Sequence, residues 1–507
     1  MNLPWERRRP RRRVSKPRRS SSPAGTPALP EISARRVIVA AALLALSVSL
    51  LSCATGKKSS ATYGLDSRTP AKAYLQMPGR ADGAFPRLLS QTGAFKDTRQ
   101  LAPSAALIPY DLIVPFWSDG ATKTRWVSVP DEKIKFAPTG EWTFPRGTVF
   151  VKTFLLATND LNPDSQRRLE TRLLVCNADG GVYGVTYKWR ADNRDADLLE
   201  TNLTETISIQ TAGGTRTQQW YYPSRADCLT CHTPLAGGVL GVKTRQLNRD
   251  FAYPSPGSAG VSPASLTSPR RQDASAPGSH RSVTDNQLRA WNHLGLFDTN
   301  LDEAGIKNLP KLARADDTTR TLEDRARSYL DVNCANCHRP QGTVAYFDAR
   351  YDTPLAQQNL IGGRVLIDQR IDGARNVAPN DRWRSILFMR ANTTEPFKMP
   401  PLARNTIDER GMKLLRQWIE TLPGPPVLPP PEISPHGGNF IRPVEVILKS
   451  EPGATLRYTL DGTVPTTSDL LYEKPIRLTG PTILRAKAFK PGCTKSITTQ
   501  EIFLVGG

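Results

Sequence analysis

Histidine and methionine are scarce in this chain, five of each among 507 residues. No histidine precedes His232, so everything before it is excluded from building a histidine-based copper or zinc site. No methionine lies between His232 and Met389, which limits where a thioether ligand can come from. Apolar residues make up 38% and mean hydropathy is −0.41, too polar for a multi-span membrane protein and too apolar for a chain disordered throughout. Acidic residues are outnumbered, 47 Asp and Glu against 68 Lys and Arg, for a net charge of +21. The excess is uneven: ten arginines and Lys16 fall within residues 1–36, opposed only by Glu6 and Glu31. A basic balance concentrated in one terminal run is no footprint of a nucleic-acid surface, and no nucleic-acid partner is expected.

After that run, Val37–Ser52 carries no charge and is 16 residues long, short for a spanning helix and suited to a signal-peptide apolar region. It ends in Leu50-Leu51-Ser52-Cys53, which resembles the bacterial lipobox. The resemblance implies a lipoprotein signal peptide over 1–52, lipidation of Cys53, and a linker over 53–79. An uncleaved N-terminal anchor is the alternative. Either way the rest of the chain is expected in the bacterial cell envelope, facing the periplasm or the surface.

Two segments carry the chemistry: Cys228-Leu229-Thr230-Cys231-His232 and Cys334-Ala335-Asn336-Cys337-His338. In CxxCH, two thiols three positions apart reach the two vinyl groups of one haem, and the following His is held beneath the iron. A zinc site of four thiolates, a redox dithiol or disulfides would each use the cysteines but give no reason for a His directly after each pair. Two covalently bound haem c groups are therefore expected, with His232 and His338 as proximal ligands. Cys53 and the two motifs leave only Cys176 and Cys493, and Cys176 closes a strand-like run as a buried free thiol. A disulfide framework is not expected.

Around the second motif, Thr321–Asp324 reads as a capping box opening a helix that delivers Cys334. Phe397-Lys398-Met399-Pro400-Pro401 puts a thioether on a stiff, non-helical loop. Thr406–Glu409 reads as a second capping box, followed by helical spacing through Met412, Leu415, Ile419 and Leu422. Helix, CxxCH, Met-Pro loop and closing helix resemble a class I cytochrome c over 311–422. The resemblance implies His338 and Met399 as axial ligands, and thioether ligation favours ferrous iron at high potential. Met389, in an apolar helical context, reads as core instead.

The first haem segment, 226–310, includes a Ser/Pro/Gly/Ala-rich insertion over 253–282. His293, in the amphipathic run from Asn286 to Phe297, is the nearest distal candidate, with His280 and His436 as weaker options. If none binds, the first iron is open to peroxide or another small ligand.

On either side the sequence reads as β. Runs at Val149–Leu155, Leu169–Val175 and Val182–Trp189, with a turn at Asp179-Gly180-Gly181, predict an all-β sandwich-like domain over 80–225. Its Phe116-Trp117-Ser118-Asp119-Gly120 run, with Lys123 and Arg125, reads as core aromatics beside a solvated basic turn rather than a cleft. Between these flanks a mainly α cytochrome c region is expected. A Pro-rich linker spans 423–441, and strand-like alternation with an Asp461-Gly462 turn follows. Tyr458–Thr466 and Ala486–Phe489 resemble the chitobiase/beta-hexosaminidase C-terminal module, which implies a small immunoglobulin-like β-sandwich over 442–507 without catalytic residues. Its implied partner is carbohydrate or the cell surface.

Taken together, Phe116–Lys123, Trp142–Pro145, Thr244–Asn248, Asn333–Pro340 and Lys398–Leu402 look like an uncharacterised family of exported dihaem c-type cytochromes. That resemblance implies an electron carrier between redox partner proteins rather than a stand-alone enzyme, with a quinoprotein sugar dehydrogenase as a candidate donor. The alternative is a dihaem peroxidase-like oxidoreductase with an open first haem.

Overall fold

The computed structural model of the chain describes residues 62–69, 71–254, 282–343 and 346–506. The expected signal segment 1–52, Cys53, His280 and most of the 253–282 insertion lie outside the described residues.

Strands dominate, twenty against six α-helices among the described residues. After a ribbon of β1 (Phe95–Asp97) and β2 (Ala102–Pro103), six strands form an antiparallel meander in chain order. These are β3 (Ile108–Pro109), β4 (Thr122–Ser128), β5 (Val149–Ala157), β6 (Gln166–Cys176), β7 (Val182–Trp189) and β8 (Ala196–Leu198). The three predicted runs fall within β5, β6 and β7, and Gly180 and Gly181 turn the chain at φ +92° and +73°. Trp126, Val151, Leu173 and Val185 lie side by side and pack into one core with Leu89 and Trp189. Because side chains alternate along a strand, Arg125, Lys152 and Arg172 sit in direct register on the opposite face. The hairpin of β9 (Leu203–Thr211) and β10 (Gly214–Tyr222) turns Ile207, Ile209, Trp220 and Tyr222 onto Phe154 and Leu169. The region is thus one meander with a flanking hairpin, not the two facing sheets expected. Loops and two short helices complete a further core, where Trp142, Leu247, Trp291 and Phe297 pack together.

Helices are short: α1 (Arg225–Cys231), α2 (Thr244–Leu247), α3 (Gln287–His293), α4 (Leu322–Asn333), α5 (Ile386–Ala391) and α6 (Glu409–Thr421). A ribbon of β11 (Asp250–Pro254) and β12 (Ser282–Asn286) brackets the insertion. The mainly α cytochrome c region is therefore a wrong expectation. No α-helix occurs among the described residues between Asn333 and Ile386. That stretch contains Pro340, Gly342, Pro354, Gly362, Gly363, Gly373 and Pro379. Its Asp348, Asp368 and Asp381 carboxylates accept from the backbone two residues on, at 3.0, 2.8 and 3.0 Å, competing with helical bonds. The two longer helices do pack together through Leu330, Leu415, Trp418 and Ile419. Thr321 caps α4 as predicted, accepting from Asp324 N at 3.0 Å. At α6 the cap is Asp408 instead, accepting from Gly411 N at 3.0 Å.

The C-terminal part meets its expectation. β13 (Glu432–Ser434), β15 (Val444–Lys449) and β18 (Ile476–Leu478) form one sheet. The other comprises β14 (Gly438–Phe440), β16 (Thr455–Thr459), β17 (Leu470–Leu471), β19 (Thr482–Phe489) and β20 (Thr499–Val505). Val446, Leu448, Leu484, Ala486 and Phe503 fill the space between them. The stretch expected as a linker supplies β13 and β14 and buries Leu428. Lys487 Nζ reaches Asp372 at 2.8 Å, and Arg384 donates to the carbonyls of Lys495 and Ser496, each at 3.1 Å, so the module is tied to the preceding segment. No helix among the described residues is long and apolar enough to cross a membrane.

Candidate functional site

The first CxxCH motif rides on α1. Ser224 Oγ accepts from Asp227 N at 3.2 Å, and the Asp227 carboxylate accepts from Ser224 N at 2.8 Å and Tyr221 Oη at 2.7 Å. This reciprocal cap starts the helix three residues before Cys228 and puts Cys228 and Cys231 on one face, one turn apart. That face meets β7 at Gly184, where a Cβ would lie 2.7 Å from Cys228 Sγ, so only glycine admits the contact. His232 ends the helix, its N–H bonded to Cys228 O at 3.0 Å. Its Nδ1 lies 2.7 Å from Gly238 O, a carbonyl presented by a turn with Gly238 at φ +71°. A ring held this way carries its proton on Nδ1 and leaves Nε2 for a metal. Burial pushes the imidazole down to about 4, so it is neutral, as ligation requires.

The second motif starts as α4 ends. Cys334 N and His338 N each bond back one turn, to Leu330 O and Cys334 O, at 2.9 Å. Arg339 is clamped to Ala335 O, Leu235 O and Glu141. His338 stacks on Phe347 with ring centroids 4.2 Å apart, and its Nδ1 lies 3.3 Å from Thr343 Oγ1. Burial again holds the imidazole down, to about 4, and pushes the Cys334 thiol up to about 12.

The two motifs meet. Cys231 and Cys337 lie close enough to perturb one another, which holds Cys337 down to about 7 and Cys231 up. Cys228, Cys231, His232 and Cys337 line one cavity of about 210 Å³, and Pro400–Ala403 close part of its wall. Met399, next in the chain, is tied by its N–H to Arg390 O at 2.8 Å. That loop is fastened to the β region through Asp119, whose carboxylate accepts from Asn405 N at 2.7 Å and from Thr406 N at 2.8 Å. Thr406, expected to cap α6, is drawn to Asp119 instead.

The remaining candidates fall elsewhere. His293 is exposed and stacks on Tyr63 with centroids 3.5 Å apart, and it is not brought to the cavity. His436 is exposed on the C-terminal module, 3.0 Å from Glu501. Met389 packs against Ile371, Ala374 and Ile386, in keeping with a core role. Cys176 is buried in the core beneath the sheet. Among the described residues, no group of three or more His, Cys, Asp and Glu side chains is placed to hold a metal ion by itself.

One reading of the sequence is reversed. Lys123 and Arg125 are not solvated; both are buried and, with Phe116, line the cavity. Sequence reasoning also missed Lys152 and Arg172, which line it from β5 and β6. The available signal was a charge at the centre of an otherwise apolar strand, as in Val149-Phe150-Val151-Lys152.

The donor set fits two covalently attached haems: paired thiols, a neutral imidazole beside each pair, and cations facing the first pair that would receive carboxylates. No characterised protein compared with the chain matches it. Residues 435–500 match the chitobiase/beta-hexosaminidase C-terminal domain family.

Proposed function

We propose that the chain is an exported dihaem c-type cytochrome, lipid-anchored at Cys53, that carries electrons between redox partners in the periplasm or at the cell surface. In this reading Cys228, Cys231 and His232 would hold the first haem. Cys334, Cys337, His338 and Met399 would hold the second. Bound haem supplies the one-electron couple. The chain supplies attachment, neutral imidazoles, burial and a route between the motifs. The observation that supports the reading is that Cys228, Cys231 and His232 of the first motif share one cavity with Cys337 of the second. A sugar-oxidising quinoprotein is the proposed donor, and the C-terminal module is proposed to contact carbohydrate or the cell surface.

Expression with a c-type maturation system should yield two haems per chain by pyridine haemochrome, and one after Cys228→Ser with Cys231→Ser. A folded wild-type chain without haem refutes the reading.

The placement of His293 favours a second reading, a peroxidase-like oxidoreductase. His232 is the one histidine lining the cavity among the described residues, and His293 stacks on Tyr63 instead. Electron paramagnetic resonance of the ferric protein separates the two. A high-spin signal with peroxide turnover supports the enzyme, and a low-spin signal without turnover supports the carrier.

A further inference from the structure

The sheet lines the cavity with Lys123, Arg125, Lys152 and Arg172, while Glu141, Asp227 and Asp331 line it from other elements. Arg125, Lys152 and Arg172 occupy directly paired positions on three adjacent strands, and Lys123 stands two residues from Arg125 on the same face. Like charges directly opposite one another destabilise a sheet, so such a row needs anions. The chain provides some. Arg125 donates to Asp111 Oδ1 at 2.6 Å, although Arg249 also claims Asp111 at 3.0 Å. Arg172 is bidentate to the fully buried Glu170, at 2.9 and 2.5 Å. Lys123 reaches only the Phe116 carbonyl, at 2.7 Å. Lys152 has no hydrogen-bond or ion-pair partner among the described residues. Its ammonium lies 5.3 Å from the centre of the Phe154 ring, which Lys123 and Arg172 also approach, at 5.8 and 4.4 Å. One ring face cannot neutralise three cations.

We propose that Lys152, with Lys123, Arg125 and Arg172, forms an anion site, the seat of a carboxylate or small oxyanion held against the Cys228–His232 motif. A purely structural role does not account for it, because Lys152 bonds to nothing among the described residues and lines the cavity. Enclosure and its neighbours Arg172 and Arg125 push this lysine down to about 7. Two sources carry the required chemistry. One is the propionates of a haem attached at Cys228 and Cys231, in which case the inference rests on the function proposed above. The other is a free anion entering the same cavity.

The test compares wild type with Lys152→Met and Lys152→Gln, neither of which removes a partner from any other residue. Three measurements are made: haem content, potentiometric titration of each haem, and thermal midpoint against added phosphate and succinate. If propionates occupy the site, both variants retain two haems, the first haem's potential falls while the second's is unchanged, and neither anion moves the midpoint. If a free anion occupies it, phosphate or succinate raises the wild-type midpoint with the logarithm of concentration above its Kd, and in the variants that rise begins only at about tenfold higher concentration or more. Unchanged potentials together with no anion effect that differs between wild type and variants overturn the inference and leave the dihaem reading intact. A chain that takes up no haem defeats the dihaem reading, and the anion titration on that haem-free protein still decides this one: Lys152-dependent stabilisation supports it, and none overturns it.

Discussion

Asp119 offers the sharpest test of how the Met399 loop is held. Its Oδ1 accepts from Asn405 N at 2.7 Å, Thr406 N at 2.8 Å and Thr406 Oγ1 at 3.1 Å, while Oδ2 takes only Asn405 Nδ2, at 3.3 Å. One oxygen therefore does most of the holding, and an amide can supply it. Burial raises the Asp119 carboxyl above its ordinary range despite these donors, so ionisation adds little that the neutral isostere would lose. Asp119→Asn should cost no more than about 1 kcal/mol. Asp119→Ala strips the acceptor from two backbone N–H groups. At about 1–3 kcal/mol for each buried orphan, discounted because Asn405 and Thr406 are only partly buried, this amounts to about 2–4 kcal/mol. Asp119 also sits at φ +49°, a left-handed conformation in which alanine adds about 1 kcal/mol. Urea unfolding should therefore separate the variants by about 3 kcal/mol, and limited proteolysis should cut Asp119→Ala first within residues 395–406. If Asp119→Asn is as damaging as Asp119→Ala, charge rather than acceptor placement holds the loop and the reasoning fails.

Other expectations follow from the same geometry. Gly184→Val forces a side chain into Cys228 and should cost about 1–3 kcal/mol while lowering haem attachment at the first motif alone, checked by urea unfolding and peptide mass mapping. Cys176, pushed up to about 12 by burial, should resist iodoacetamide at pH 8 in the folded chain and react fully in denaturant; equal labelling rates would contradict its burial. Thr321→Ala removes the α4 cap and should lower stability by about 1 kcal/mol in a urea melt, with Thr321→Ser restoring most of it. Asp372→Ala leaves the Lys487 ammonium, 1% exposed, without its partner. With Asp372 itself 41% exposed and screened, the loss should be about 1–3 kcal/mol by calorimetry, largely recovered by adding Lys487→Met.

The sequence by itself determined the local chemistry. Each CxxCH is contiguous, so the spacing of its thiols and the position of its imidazole follow from adjacent residues. The strands at 149–189, the Thr321 cap and the alternating module after residue 442 were legible for the same reason, since periodicity and capping act within a few positions. Tertiary structure alone decided what these pieces face. The contact of Cys231 with Cys337 joins motifs far apart in the chain. Thr406 abandons α6 for Asp119 because a buried carboxylate from a distant loop outcompetes a local cap. Between Asn333 and Ile386, the Asp side chains and the proline and glycine turns break up a region whose resemblance to a class I cytochrome c had implied helices. Lys123 and Arg125 read from sequence as a solvated basic turn, and no motif singled out Lys152 or Arg172. Only strand register sets them side by side, and only the packing of α1 across Gly184 encloses them against the first motif, where burial turns solvated charges into a wall that calls for an anion.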